Sequence, residues 1–143
     1  MGRVLRSELP SPAIYHLTAR GVARGEIYRD DYDRTLFVRL LRRVTQRWDW
    51  LCHAYTLMPN HYHLLIECEI RAVSLGMRTL NGVYARGFNE RHDRIGHLFQ
   101  GRYDARVLHD DEHLANACAY LWANPVRAGL CETADDWPWS GSV

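Results

Sequence analysis

Lysine is missing from this 143-residue chain, and all 18 basic side chains are arginine. Arginine's planar fork suits phosphate recognition, although a GC-rich genome would leave the same bias. Long apolar runs are missing too. None approaches the ~20 residues that a membrane-spanning helix needs, so no membrane partner is expected. The start of the chain, Met1 to Arg6, lacks the apolar core of a signal peptide, which makes the cytoplasm the expected location. The four cysteines (Cys52, Cys68, Cys118 and Cys131) are scattered and form no CxxC or CxxH pair. That argues against structural zinc and for reduced thiols. Repeats, low-complexity segments and linkers are absent, as are a glycine-rich cofactor loop and a second acid/base cluster. A small metal-binding domain acting on a small molecule therefore has little to support it.

What is present fits one domain over residues 1–143, with a loose leader at 1–12 and a tail at 126–143. A chain of this length buries roughly 70% of its unfolded surface. The net charge of +1 conceals an uneven distribution. Residues 1–48 carry ten arginines against five acids, and residues 70–108 carry seven against three. Residues 109–143 reverse this, with one arginine against six acids. Two basic segments and an acidic end can present a local basic face to nucleic acid, or simply form solvated helix faces.

The hydrophobic pattern alternates at 13–18 and predicts a first strand. A basic turn follows at Arg20–Gly25. Asp30 or Asp31 then caps an amphipathic helix to about Trp48, with Leu36, Leu40, Val44 and Trp48 on one stripe. Residues 51–58 and 61–67 read as two strands joined by a Pro59-Asn60 turn, with Asn tolerating unusual backbone angles. A second helix runs from about Val73 to Glu90, weakened by Gly76, Gly82 and Gly87. Residues 103–108 form a fourth strand. A third helix begins at Asp110-Asp111-Glu112 and should stop near Asn124, because Pro125 disfavours helical geometry in the residue before it. The order predicts an α+β, ferredoxin-like βαββαβ antiparallel sheet with an added C-terminal helix.

Two histidines two apart, His61 and His63, open the third strand. Alternation puts both on one sheet face and Tyr62, Leu64 and Ile66 on the other. If the apolar set faces the helices, the histidines face the open side. Two adjacent imidazoles are half of a metal site. On the third helix Tyr120 and Asn124 are i and i+4 and hence neighbours. Against the histidines they would add an amide oxygen ligand and a phenol able to attack a polarised phosphate. Spacing alone does not choose Tyr120 over Tyr84 or Tyr103.

The segment Met58-Pro-Asn-His-Tyr-His-Leu-Leu-Ile66 resembles the HUH motif of single-strand DNA transposases and relaxases. With Met-Pro-Asn before the first histidine, it is similar to the REP-associated tyrosine transposases. The resemblance continues through Arg20-Gly21, the Asp30-Asp31 helix start and Gly96–Tyr103. It then takes in Tyr120-Leu-Trp-Ala-Asn-Pro-Val-Arg-Ala-Gly129 and Trp137-Pro-Trp-Ser140. It implies Tyr120 as the catalytic nucleophile and His61, His63 and Asn124 as ligands of Mg²⁺ or Mn²⁺, with no nucleotide cofactor. The implied reaction is cleavage and strand transfer of single-stranded DNA through a 5′-phosphotyrosine, on hairpins of repetitive palindromes. The alternative is a domesticated hairpin-binding protein without catalysis. Candidate DNA contacts are Arg20, Arg24, Arg102 and Arg106. Arg127 is a fifth, unless it bonds carbonyls of the turn after Pro125. A monomer with Tyr120 acting in its own site is preferred over a homodimer with shared sites. Tyr62 departs from the usual aliphatic residue between the histidines, and its hydroxyl needs a partner.

Overall fold

A computed structural model describes residues 12–143. Apart from Pro12, the expected leader lies outside the described residues. The first strand, β1, is Ala13–Arg20, and helix α1 is Asp31–Arg47. The Asp30 carboxylate accepts the Asp33 amide hydrogen at 3.1 Å, and two further acids sit in the first turn. Both favour the positive end of the helix dipole. Strands β2 (Leu51–Met58) and β3 (His61–Cys68) form the expected hairpin, and helix α2 covers Ile70–Arg91. Strand β4 is Asp104–Leu108, helix α3 is Asp111–Arg127, and a two-residue strand, β5, is Ser140–Gly141.

The sheet order is β4-β1-β3-β2-β5, with every adjacent pair antiparallel. The first four strands have the ferredoxin-like order. Helices α1 and α2 cover one face. Phe37, Leu41 and Val44 from α1 meet Met77, Leu80, Tyr84 and Phe88 from α2 in the main core. At the helix ends, Arg91 bonds Asp30 at 2.6 Å and the fully buried Asp33 at 2.9 Å, and His92 lies 2.8 Å from Asp33. The C-terminus of α2 is thereby tied to the N-terminus of α1. No helix among the described residues is long and apolar enough to cross a membrane.

Three expectations needed correction. Helix α3 does not stop at Asn124 but continues through Pro125 to Arg127. The missing proline N–H forfeits one bond, to the Leu121 carbonyl, and the final turn closes without it. The Ala128 amide donates to Asn124 and the Leu130 amide to Pro125, while the proline ring itself is buried. Secondly, the tail supplies a fifth strand. Leu57 donates its amide to the Trp139 carbonyl, and the Trp137 indole donates to the Leu57 carbonyl at 3.0 Å. Thirdly, Gly76 is not a weak point in α2. A Cβ there would sit 2.2 Å from the Trp50 ring, whose indole N–H donates to the Ala72 carbonyl at 3.0 Å. The glycine is what lets the tryptophan lie against the helix.

Gly82 is the contrast, because a Cβ added there would meet nothing within 4 Å. Gly76→Ala should lower stability by about 1–3 kcal/mol through overpacking. Gly82→Ala should raise it by about 0.5–1 kcal/mol by restricting the unfolded chain. Urea unfolding of the two variants beside the parent checks both signs, and equal shifts would remove the distinction.

Candidate active site

The pairing register puts Arg20 opposite His61, and Thr18 opposite His63 and Asp104. All five therefore share the sheet face away from α1 and α2. Helix α3 lies across the other half of that face. Leu121, Leu114, Cys118 and Trp122 pack on Ala54, Leu65 and Leu108 in a small second cluster. With that side of α3 held down, Tyr120 and Asn124 overhang the histidines. The result is a cavity of about 530 Å³ lined by Thr18, Ala19, Arg20, His61, His63, Gln100, Arg102, Asp104, Tyr120 and Asn124.

Of the three tyrosines open from spacing, Tyr84 is fully buried and bonds the Ile27 carbonyl, and the Tyr103 hydroxyl is buried. Tyr120 is 60% exposed and reaches the cavity. The Tyr62 hydroxyl finds its partner in Asn81 on α2. Among the arginines, Arg20 and Arg102 line the cavity. Arg106 is exposed on β4, 3.6 Å from Asp104, and Arg24 sits in a 3-10 turn outside the cavity. Arg127 bonds the Tyr120 carbonyl at 2.9 Å, and its guanidinium lies 4.0 Å from the Tyr120 ring centre. The carbonyl it meets belongs to Tyr120, within α3, and not to the turn after Pro125, and the same guanidinium braces the tyrosine from behind.

Two neighbours of the histidines escaped sequence reasoning. His16 Nε2 is 2.9 Å from His63 Nδ1, and Asn60 Oδ1 is 2.7 Å from His61 Nδ1. His16 was legible in principle. It alternates with the buried Tyr15 and Leu17, so pairing β1 against β3 brings it beside His63. Burial foremost, then His16, His61 and the nearby arginines, push the His63 ring down to about 3. Burial and Arg20 lower His61 as well. Both rings are therefore neutral at ordinary pH, the form that carries a lone pair. With each Nδ1 engaged, each Nε2 is the nitrogen left for a ligand. Two imidazoles and the Asn124 amide fit a divalent ion with open positions. Among the described residues, no three His, Cys, Asp or Glu side chains gather to hold one instead.

Comparison with known proteins bears on this arrangement. The family model for IS200-like transposases matches residues 11–124, a span that contains His61, His63, Tyr120 and Asn124. The chain belongs to the IS200-like transposase family. Members are enzymes that act on DNA, so the family places this chain among DNA transposases. A Haemophilus influenzae protein assigned as a REP-associated tyrosine transposase is 26% identical over 146 residues, covering 94% of this chain and 82% of that protein. In fold, the chain is similar to a REP-associated tyrosine transposase solved with a REP hairpin. The TM-score is 0.76 at 17% identity, over 98% of this chain and 82% of the other. A Deinococcus radiodurans R1 protein assigned as a transposase gives 0.56 at 18% identity, over 84% and 95%. The resemblance noted from the motifs is thus matched along the chain.

The depressed His63 value has a consequence for stability. The unfolded ring takes up a proton near 6.5 but the native ring only near 3. Below 6.5 the unfolded state binds more protons, so this contribution is full above 6.5 and is lost as pH falls toward 3. With a chelator present, the urea midpoint should fall across that window, and His63→Leu should flatten the fall. Parallel profiles for the two proteins would contradict the assignment.

Proposed function

We propose that the chain cleaves and rejoins single-stranded DNA at hairpins, with Tyr120 as the nucleophile. One observation carries this reading: Tyr120, Asn124, His61 and His63 line one cavity beside Arg20 and Arg102. The hairpin bound to a neighbour of the same fold supports the substrate class. His61, His63 and Asn124 would hold Mg²⁺ or Mn²⁺. When bound, such an ion supplies Lewis-acid polarisation of a phosphate oxygen.

Arg20 and Arg102 take the charge of the incoming backbone and hold the scissile phosphate against the sheet. The Tyr120 oxygen attacks phosphorus and its proton passes to solvent, which its exposure permits. The bond from phosphorus to the 3′-oxygen breaks, leaving a 5′-phosphotyrosine and a free 3′-OH. Attack by a different 3′-OH reverses the step and frees Tyr120. One phosphoester replaces another at each stage, so no nucleotide cofactor is required. Arg127 behind the ring limits its rotation and keeps the phenol over the cavity. In this reading Tyr120 acts in its own site, in a monomer, and the chain is a single catalytic domain.

Labelled single-stranded hairpins incubated with the protein and Mn²⁺ should give a band that survives denaturing electrophoresis. Tyr120→Phe should abolish that band while leaving hairpin binding intact in a native gel. An adduct that persists in Tyr120→Phe would move the nucleophile to another tyrosine. Binding without any adduct across diverse hairpins would favour a non-catalytic hairpin-binding protein.

A further inference from the structure

The Pro59-Asn60 turn is expected from sequence to use asparagine for its backbone tolerance. The structure gives Asn60 a different task. The residue is not among those with positive φ, so its backbone needs no special side chain there. Its amide, however, is bonded at both ends. Nδ2 donates to the Arg24 carbonyl at 3.2 Å, and Oδ1 meets His61 Nδ1 at 2.7 Å.

These two bonds fix one another. A backbone carbonyl accepts hydrogen bonds and never donates, so the amide end facing Arg24 is the NH₂ group. The end facing His61 is then the oxygen, which also only accepts. His61 Nδ1 must therefore carry the hydrogen, and in the neutral ring the lone pair lies on Nε2. The assignment follows from the donors and acceptors alone.

The Arg24 carbonyl is in turn held in place. Ala23 and Arg24 adopt φ of 54° and 57°, in the left-handed region. The turn is closed by the Gly25 amide donating to Val22 at 3.0 Å. Gly21 is required for this path, because a Cβ there would lie 2.1 Å from the Gly25 carbonyl oxygen. The same loop grips the hairpin turn by its backbone. Gly21 donates its amide to the Asn60 carbonyl at 2.8 Å, and Ile27 donates to Pro59 at 2.9 Å. Non-glycine residues in the left-handed region are uncommon and persist where surrounding structure over-determines them.

We propose that Asn60 is a positioning residue: held by the loop at residues 21–25, its amide fixes the His61 tautomer so that Nε2 faces the cavity with its lone pair. The inference rests on His61 being a metal ligand, as proposed above. A ring free to take the other tautomer would spend part of its population with N–H where a ligand lone pair is needed. Partners that orient a ligating histidine are typically worth 10–100-fold in metal affinity.

Two substitutions separate the two ends of the amide. Asn60→Leu removes both bonds, whereas Asn60→Asp keeps an oxygen for the His61 Nδ1 hydrogen and loses only the donor to Arg24. Mn²⁺ binding followed by electron paramagnetic resonance should weaken about 10–100-fold in Asn60→Leu and stay at or above the parent value in Asn60→Asp. A merely structural role would lower the melting temperature of both and leave their affinities alike. Long-range proton–nitrogen NMR of the metal-free parent at neutral pH should show His61 protonated at Nδ1. Protonation at Nε2, or parent-like Mn²⁺ affinity in folded Asn60→Leu, overturns the proposal. If the parent itself fails to bind Mn²⁺, the ligand assignment falls, and the NMR result still decides the tautomer claim.

Discussion

Tyr62 determines which way the central strand faces, and most of the molecule depends on that choice. Its ring is fully buried against Phe37, with centres 4.7 Å apart, and against Phe99, while its hydroxyl bonds Asn81 on α2. Leu64 and Ile66 follow it into the same core. A register slip of one residue would expose all three and bury the two histidines. Each lost burial costs about 1.5–3 kcal/mol, so the wrong parity is strongly disfavoured. The outward direction of His61 and His63 is thus a by-product of packing on the other side of the sheet. The aromatic residue that departs from the aliphatic pattern of related motifs is accommodated because α2 offers an amide to its hydroxyl.

From that parity the site assembles by register. Strand β1 brings Arg20 and Thr18 beside the histidines, β4 adds Asp104, and α3 closes the cavity from above. The second row of groups is less visible but equally ordered. His16 stands behind His63, Asn60 behind His61, and Arg127 behind Tyr120. Each of these three cavity side chains therefore has one neighbour that restricts how it can turn. Such restriction is what lets a few side chains act together.

The parts legible in the sequence are those governed by local period and local capping. Alternation gave β1 and β3, the four-residue stripe gave α1, and Asp30-Asp31 marked the start of that helix, with Asp30 the cap. The order of elements then implied the sheet, because few topologies connect such a string. What escaped depends on partners far along the chain. Nothing local to Gly76 announces Trp50 lying against it. Pro125 signals a helix end by its own chemistry, and only the burial of its ring and the closing turn beyond it show why α3 goes on. Ser140–Gly141 is too short to show a strand period, and exists because two tryptophans dock beside β2. His16 and Asn60 were in view, but their roles require knowing which strand lies next to which and where a loop carbonyl points.

The two halves of the cavity are anchored very differently. His61 and His63 sit on a strand hydrogen-bonded on both sides and backed by the main core. Tyr120 and Asn124 ride on a helix whose only buried residues are Leu121 and Pro125, with Leu121 resting in the small second cluster. Elements with few buried apolar contacts open at lower free energy than the core they rest on. The fold therefore has a ladder of stabilities: the sheet and its two covering helices form one cooperative unit, and α3 belongs to a lower rung. Amide exchange would sense the helix of Tyr120 and Asn124 releasing protons well before the histidine strand does.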